Sequence, residues 1–345
     1  MTTATARSPG RVNLIGEHTD YNGGWVLPAA LSVGLEASLS LRSDDAIAIG
    51  AEPFGSDRRT IEDGARDQWS DPIVGALREA RSLSLIGGGA EVTIASTIPA
   101  GSGLSSSAAL IVTILKAARQ LAGSNLSDTE IAVAARRVET DYIGVPVGIM
   151  DQMAVAIARP GEAIALDTRS LEYRLVVLPA GYSVEVIHSG VTRKLSDGRY
   201  KVRKEECDAA REAFGQEDIC LLDPACIEAA SGIDDVVKRR ALHCATEHRR
   251  VLAALVALEK GDIAELGALM NASHVSMRDD FEMSVPPIDA LVADAVELGA
   301  VGARLTGGGF GGCIVAIVGE DRRGSWLEAL LERHPGARFI DRIAG

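Results

Sequence analysis

The sequence predicts a two-lobed α+β protein. Its 345 residues exceed the length at which a single core usually keeps growing, and 47% hydrophobic with 24% charged residues is typical of a folded chain. The first half mixes short alternating apolar runs with helical ones, whereas long helical patterns ending in strands dominate the second half. We therefore predict an N-terminal lobe over residues 1–175 and a C-terminal lobe over residues 176–345, with an active site in the cleft.

The period of the apolar residues predicts the individual elements. Alternation with a period of two predicts strands, and apolar residues three and four apart predict helices. The predicted strands are residues 27–41, 46–51, 92–94, 163–167, 173–178, 183–188, 313–318 and 337–343. The predicted helices are residues 73–83, 108–121, 127–143, 196–214, 234–260, 262–278, 287–298 and 325–334.

The charge balance excludes several classes of partner. The chain has 35 Lys and Arg against 48 Asp and Glu, and this formal net charge of −13 disfavours binding to nucleic acid or to an anionic membrane. It contains no run of about 18 apolar residues, and residues 1–9 lack the features of a signal peptide. The five cysteines form no C-x-x-C pair. We expect a cytoplasmic protein with reduced thiols and assign no cysteine a role.

Residues 98–110, IPAGSGLSSSAAL, form the most informative stretch. They follow a predicted strand and precede a predicted helix. Gly101 and Gly103 allow a ligand to approach the backbone, and the three serines 105–107 place N–H groups and hydroxyls at a helix N-terminus, which favours phosphate. An ordinary capped turn is an equally good interpretation of this stretch alone. It is neither a Walker A loop nor a nucleophilic serine elbow.

Two other segments carry polar groups suited to chemistry. Residues 7–24 are rich in turn formers and place Arg11, Glu17, His18 and Asp20 close together. Of these, Glu17, His18 and Asp20 can recognise the hydroxyls of a polyol or sugar. The competing interpretation is a surface loop with incidental charge. Asp151 lies in an apolar setting after Gly148, so an arginine or a ligand should face it.

A glycine motif near the C-terminus looks like a dinucleotide-binding fingerprint but predicts a different structure. Gly307, Gly309 and Gly312 satisfy G-x-G-x-x-G, but a strand follows them instead of a helix, so a dinucleotide-binding domain is excluded. The glycines predict a turn at which two backbones, or a backbone and a ligand, come close.

Together these parts suit phosphoryl transfer to a hydroxyl. The serine loop can hold the β and γ phosphates of a nucleotide, and Glu139 with a serine hydroxyl can complete a Mg²⁺ site. Asp151 and Arg11 are the candidates for handling the proton and for opposing the negative charge of the transition state.

The chain resembles the GHMP small-molecule kinases. Three segments carry the resemblance: residues 10–24 (GRVNLIGEHTDYNGG) look like the signature of the galactose-phosphorylating branch, residues 99–108 like the family's phosphate loop, and residues 302–313 like its C-terminal glycine motif. Further similarity in residues 148–152, 200–207 and 271–274 extends it over nearly the whole chain. The resemblance implies an N-terminal mixed sheet with helices and a C-terminal ferredoxin-like α+β lobe.

The resemblance also implies an activity: ATP-dependent phosphorylation of galactose at its anomeric hydroxyl, giving galactose 1-phosphate in the Leloir metabolism of galactose. It implies that Asp151 is the catalytic base and that Arg11 keeps it ionised and steadies the transferred group. The implied sugar contacts are Glu17, His18, Asp20, Gly148 and Tyr200. The implied phosphate contacts are Gly101, Ser102, Gly103, Leu104, Ser105, Ser106 and Ser107, and the implied Mg²⁺ ligands are Ser106 and Glu139.

Two alternatives stay open. One is a kinase for a related sugar, such as N-acetylgalactosamine or arabinose. Lys201 and His188 differ from the residues that are common at these positions in the family, and such differences can change sugar selectivity. The other is a regulator of the same fold that binds ATP and galactose without transferring phosphate. The expected partners are galactose and ATP, and we expect a monomer, with a dimer left open.

Overall fold

The computed structural model describes residues 2–52, 54–192 and 198–345. The described chain divides into two compact units that are interleaved in sequence. Unit 1 consists of Met1–Arg11, Ser32–Ala100 and Ser105–Arg159. Unit 2 consists of Val12–Leu31, Gly101–Leu104 and Pro160–Gly345.

Unit 1 contains a mixed sheet. Its strands are β1 (Thr3–Asn13), β3 (Pro28–Leu41), β4 (Ala46–Ala51), β5 (Gly55–Thr60) and β6 (Ala90–Ser96), and both β1 and β3 continue into unit 2. Strand β3 pairs antiparallel with β6, which pairs parallel with β4, and β4 pairs antiparallel with β5. Strand β1 pairs with β3.

Helices supply the rest of the core of unit 1. They are α1 (Asp71–Ser82), α2 (Ser106–Ala122), α3 (Asp128–Arg137) and α4 (Met150–Ile157). Helix α3 begins with a capping box in which Ser127 and Glu130 bond each other's backbone N–H groups, and it continues into a π-helical turn, Val138–Ile143. Helix α2 is largely buried, because its apolar side chains pack on several sides rather than along one stripe.

Unit 2 begins with short strands and ends in a four-stranded antiparallel sheet. Strand β7 (Ala163–Asp167) pairs with β2 (Trp25–Val26) and with β8 (Tyr173–Val176). The four-stranded sheet has the order β10-β11-β9-β12. Its strands are β9 (Tyr182–His188), β10 (Gly302–Leu305), β11 (Cys313–Gly319) and β12 (Arg338–Ala344).

Six helices accompany this sheet among the described residues. They are α5 (Arg199–Phe214), α6 (Pro224–Ala229), α7 (Asp235–Lys260), α8 (Ile263–Asp279), α9 (Pro286–Glu297) and α10 (Arg323–Arg333), with a 3₁₀ turn at Ile219–Leu221. The chain order of strand, helices, two strands, helix and strand, with the first strand in the sheet interior, is the ferredoxin-like arrangement expected from the resemblance. The α+β class is thereby confirmed.

Several elements differ from the sequence prediction. Residues 7–13, predicted as part of a turn-rich loop, are strand, and β5, β10 and α6 were not predicted. Strand β5 is polar and mostly exposed, so it lacks the apolar alternation that predicts a strand. Strand β10 is only four residues long and wholly buried, so it is too short to show a pattern. The predicted helix 196–214 is α5, although its first two residues lie outside the described residues.

One further observation concerns membranes. Within the described parts of the chain, no helix combines the length and apolar character needed to cross a bilayer.

Candidate active site

An arginine–aspartate pair joins β1 to α4 in unit 1. Arg11 Nε donates to Asp151 Oδ1 and Arg11 Nη2 to Asp151 Oδ2, both at 2.7 Å. Arg11 lies near the end of β1 and is 5% exposed, whereas Asp151 lies in the first turn of α4 and is 31% exposed. This planar, two-point contact is the arrangement in which a guanidinium orients a carboxylate best.

Ser105 contacts the same carboxylate from the phosphate loop. Its hydroxyl donates to Asp151 Oδ2. Ser105 has a φ of +62°, a left-handed conformation that costs a non-glycine residue about 1 kcal/mol or more. That backbone turn immediately precedes α2 and directs the hydroxyl toward Asp151. The loop therefore supplies a hydroxyl to the charged pair as well as N–H groups at a helix N-terminus.

Glu139 forms a second polar cluster in unit 1. It lies in the π-helical turn, and its Oε1 accepts a hydrogen bond from Ser107 Oγ at 2.8 Å, while its Oε2 accepts one from Gln152 Nε2. Burial raises the pKa of Glu139 to about 7, and the negative charge of Asp151 adds to this effect, although the bonds from Ser107 and Gln152 oppose it. A cation beside Glu139 would relieve this cost.

The residues around Glu139 suit a hard metal ion. Carboxylate, hydroxyl and amide oxygens are the ligands that Mg²⁺ prefers, and Gln152 Oε1 is buried with no hydrogen-bond partner in the described residues. The described parts of the chain hold no cluster of three or more His, Cys, Asp or Glu that could bind a metal alone. A Mg²⁺ ion here would therefore take its remaining ligands from phosphate oxygens and water.

The predicted sugar residues Glu17 and His18 lie in a buried turn of unit 2. Glu17 is 1% exposed, and its Oε1 accepts a hydrogen bond from the backbone N–H of Gly307 at 2.8 Å. The guanidinium of Arg304 lies 3.5 Å from the same oxygen. The incidental surface loop considered for this segment is wrong, because the turn is part of the interior of unit 2.

An aromatic cluster surrounds His18. Its Nδ1 and the Tyr21 hydroxyl are 2.6 Å apart, and its ring lies 4.5 Å from Phe281 and 5.4 Å from Tyr200. Burial is the main cause that raises the pKa of Tyr21 well above its ordinary value, and the Asp20 charge contributes. The structure thus brings His18 and Tyr200 together in unit 2, with Asp20 close enough to influence Tyr21.

The remaining predicted residues fall into both units. Gly148 is buried two residues before α4. Ser106 is exposed at the first position of α2, so its side chain points differently from that of Ser107. Ser102 and Leu104 are buried, whereas Gly101 and Gly103 are open to solvent to a greater degree.

The first half of the phosphate loop packs against the C-terminal glycine motif. A Cβ atom on Gly307 would lie 3.1 Å from the Gly103 carbonyl oxygen, and one on Gly312 would lie 3.0 Å from the Ser102 carbonyl oxygen. Both Gly307 and Gly312 also have positive φ values, of +83° and +87°. Two backbones therefore approach here as the glycine pattern predicted, and a side chain at either position would push the loop aside.

Comparisons with known proteins place this geometry in a family. The model described as "GHMP kinases N terminal domain" matches residues 72–159, "Galactokinase galactose-binding signature" matches residues 2–40, and "GHMP kinases C terminal" matches residues 254–335. The structure is similar to that of galactokinase from Lactococcus lactis complexed with galactose, with 31% sequence identity and a TM-score of 0.93. That alignment covers 99% of this chain and 94% of the other.

The chain belongs to the galactokinase family. It is accordingly an ATP-dependent sugar kinase built on the GHMP kinase fold, with ATP as its co-substrate.

Two other known structures are less similar in sequence, and their similarity to this chain shows the fold alone. Mevalonate kinase from Methanococcus jannaschii is 18% identical with a TM-score of 0.69, over 99% of this chain and 98% of the other. Phosphomevalonate kinase from Streptococcus pneumoniae, in complex with phosphomevalonate and AMPPNP, is 12% identical with a TM-score of 0.75, over 98% of each chain.

Some polar residues next to the predicted ones, in each of the two units, were not found from the sequence. Gln152 follows Asp151 directly, and Arg304 lies inside the C-terminal glycine motif, so the neighbouring motifs could have drawn attention to both. Glu247 lies within the long helix α7, where a single glutamate is ordinary and carries no signal.

Proposed function

We propose that the chain transfers the γ-phosphoryl group of ATP to the anomeric hydroxyl of α-D-galactose, giving galactose 1-phosphate and ADP in the Leloir metabolism of galactose. The observation that carries this proposal is the Arg11–Asp151 pair with Ser105 bonded to it, a charged carboxylate directly joined to the phosphate loop. The galactose-binding signature matched over residues 2–40 supports the choice of sugar.

Asp151 takes the proton of the attacking hydroxyl in this proposal. Its carboxylate is oriented by two hydrogen bonds from Arg11 and one from Ser105, so it is held in place for a proton transfer. The Arg11 guanidinium stays charged and opposes the negative charge that spreads over the transferred phosphoryl group.

Sugar recognition is assigned to the buried turn and its aromatic cluster. Carboxylates accept hydrogen bonds from pairs of sugar hydroxyls, which suits Glu17 and Asp20, and the His18 ring can donate or accept. Tyr200 offers both a hydroxyl and an apolar ring face. Gly148 is assigned a backbone contact, because it has no side chain to block the approach of a ligand.

Nucleotide binding is assigned to residues 101–107. Backbone N–H groups at the start of α2 attract phosphate. Because the protein has a net negative charge, Mg²⁺ would be needed to offset the charge of the phosphates. Glu139 would hold the Mg²⁺ together with a serine hydroxyl. The family resemblance implies Ser106 as that serine, but the bond between Ser107 and Glu139 supports Ser107.

Alanine variants of the two serines separate these assignments. We expect Ser107→Ala to raise the Mg²⁺ concentration for half-maximal activity roughly tenfold, because it removes a ligand already facing Glu139. Ser106→Ala should change it less than twofold. The measurement is initial rate against free Mg²⁺ at saturating ATP and sugar, and the reverse order of effects would assign the metal to Ser106.

Product analysis tests the function itself. Purified protein is incubated with ATP, Mg²⁺ and a panel of galactose, N-acetylgalactosamine and arabinose, and the phosphorylated position is read by NMR. We expect galactose 1-phosphate as the main product. Faster turnover of another sugar would replace galactose as the substrate, and binding of ATP and galactose without any turnover would favour the regulator.

Three further predictions stay proposals. They are the lobe boundary near residue 175, a monomeric state with a dimer left open, and a cytoplasmic location.

A further inference from the structure

A fully buried glutamate holds the backbone of the sugar-signature turn. Glu247 on α7 is 0% exposed, and its Oε1 accepts hydrogen bonds from the N–H groups of Gly16 at 2.9 Å and Glu17 at 3.4 Å. Ser273 Oγ donates to the same oxygen at 2.7 Å, and Arg250 Nε donates to Oε2 at 2.7 Å. Both carboxylate oxygens are therefore engaged, one of them with the turn.

A fully buried arginine holds the same turn from β10. Arg304 Nη1 donates to the Asn13 carbonyl at 3.1 Å and lies 3.5 Å from Glu17 Oε1. Its Nη2 lies 3.7 Å from Glu247 Oε1. The guanidinium thus connects the start of the turn, the Glu17 side chain and Glu247.

The turn requires this support for a physical reason. Gly16 has a φ of +105° and His18 a φ of +59°, so the backbone adopts conformations that few residues favour. The N–H groups of Gly16 and Glu17 are buried, and a buried donor without an acceptor costs about 1–3 kcal/mol. A helix or a sheet ladder would normally supply the acceptor, but here a side chain supplies it.

The charges themselves are balanced within the network. Burial raises the pKa of Glu247, but the nearby Arg250 and Arg304 guanidiniums outweigh it and hold that pKa well below its usual range. A buried pair of this kind is a poor way to gain stability compared with apolar packing. It does supply fixed acceptors and donors at defined points of a turn, which apolar side chains cannot.

We propose that Glu247 and Arg304 are positioning residues for sugar recognition, which hold the backbone at Gly16 and Glu17 and set the orientation of the Glu17 carboxylate. The inference rests on the proposed role of Glu17 in sugar binding. Neither Glu247 nor Arg304 is assigned a contact with substrate. The consequence is that sugar affinity depends on a charged residue of α7, far along the chain from the signature.

Steady-state kinetics of Glu247→Ala and Glu247→Gln test the proposal, with the galactose KM, the ATP KM, kcat and Tm measured for each. We expect Glu247→Ala to raise the galactose KM at least tenfold while the ATP KM stays within twofold of the wild type. Glu247→Gln keeps an acceptor for the Gly16 N–H, so the rise should be smaller, at roughly threefold. Leu258→Ala, on the same helix and buried, is the control for lost packing.

The outcomes divide as follows. A galactose KM within twofold of the wild type in Glu247→Ala, or an equal rise in Leu258→Ala at a matched loss of Tm, overturns the proposal. If Glu247→Ala does not fold, Glu247→Gln decides alone: a rise of threefold or more supports the positioning role, and an unchanged KM overturns it.

The wild type in the same assay tests the proposed function separately. If it turns over a different sugar, galactokinase activity fails, but the comparison of variants is repeated with that sugar. If it turns over galactose and the variants keep its KM, only the positioning role fails.

Discussion

We expect Asp151→Asn to lower kcat by about 10³-fold while galactose still binds. An amide preserves the shape of the side chain, but it cannot accept the proton of the attacking hydroxyl, and a positioned base contributes about 10²–10⁴-fold to the rate. One carboxylate oxygen also becomes an NH₂ group, so at least one of the three hydrogen bonds that Asp151 accepts from Arg11 and Ser105 is lost. The measurements are kcat from initial rates and the galactose Kd from calorimetry.

Asp141→Asn is the matched control for this variant. Asp141 is exposed in the π-helical turn of the same unit and accepts a hydrogen bond from Thr140 Oγ1. It should leave kcat within twofold of the wild type. Turnover by Asp151→Asn above about a tenth of the wild-type rate would remove Asp151 from the role of base, because the loss would then be smaller than a base supplies.

We expect Arg11→Lys to lower kcat by about 10²-fold although the positive charge is kept. Lysine is a point donor and cannot span both oxygens of Asp151, so the two-point contact at 2.7 Å is lost and the carboxylate turns more freely. Loss of one preorganised donor at a developing charge typically costs about 10²–10³ in kcat. Initial rates at saturating ATP and galactose measure the effect, together with Tm.

A surface arginine supplies the comparison for Arg11→Lys. Arg119 forms a 2.9 Å pair with Asp128 in unit 1 and is partly exposed. Its replacement by lysine should leave kcat unchanged, because exposed pairs contribute little. Equal activity in Arg11→Lys and Arg119→Lys would mean that charge alone, and not the planar contact, is needed at Arg11.

The functional motifs of this chain could be predicted from the sequence because each depends on residues that are close together in the chain. A run of glycines and serines before an apolar helical pattern has the same meaning in any setting: close backbone approach and a helix N-terminus. The long helices of the second half, α5 and α7 to α10, were predicted with ends within about three residues, since long amphipathic patterns carry a strong signal, whereas the short α6 was missed. Gly307 and Gly312 were predicted to allow close approach, and the neighbouring backbone belongs to the phosphate loop.

Short or polar secondary-structure elements could not be predicted from the sequence. Strand β5 has the composition of a surface loop, and β10 is held by its neighbours β11 and α8 rather than by its own pattern. The π-helical turn that carries Glu139 was predicted as ordinary helix, because periodicity does not resolve one extra residue per turn. Strand β5 is defined by its pairing with the preceding strand β4 rather than by any pattern of its own residues.

From the sequence alone came the fold class, the phosphate loop and signature segments, and the expectation that an arginine or a ligand faces Asp151, because residue types and their spacing carry these signals. The three-dimensional arrangement was needed to show that Ser107 rather than Ser106 faces Glu139, since consecutive helical residues point about 100° apart and the partner lies on another element. Only the tertiary structure revealed Glu247 and Arg304 beneath the signature turn. The turn that these two side chains hold lies more than 200 residues away from either of them along the chain, so the sequence around Glu247 or Arg304 carries no sign of the contact.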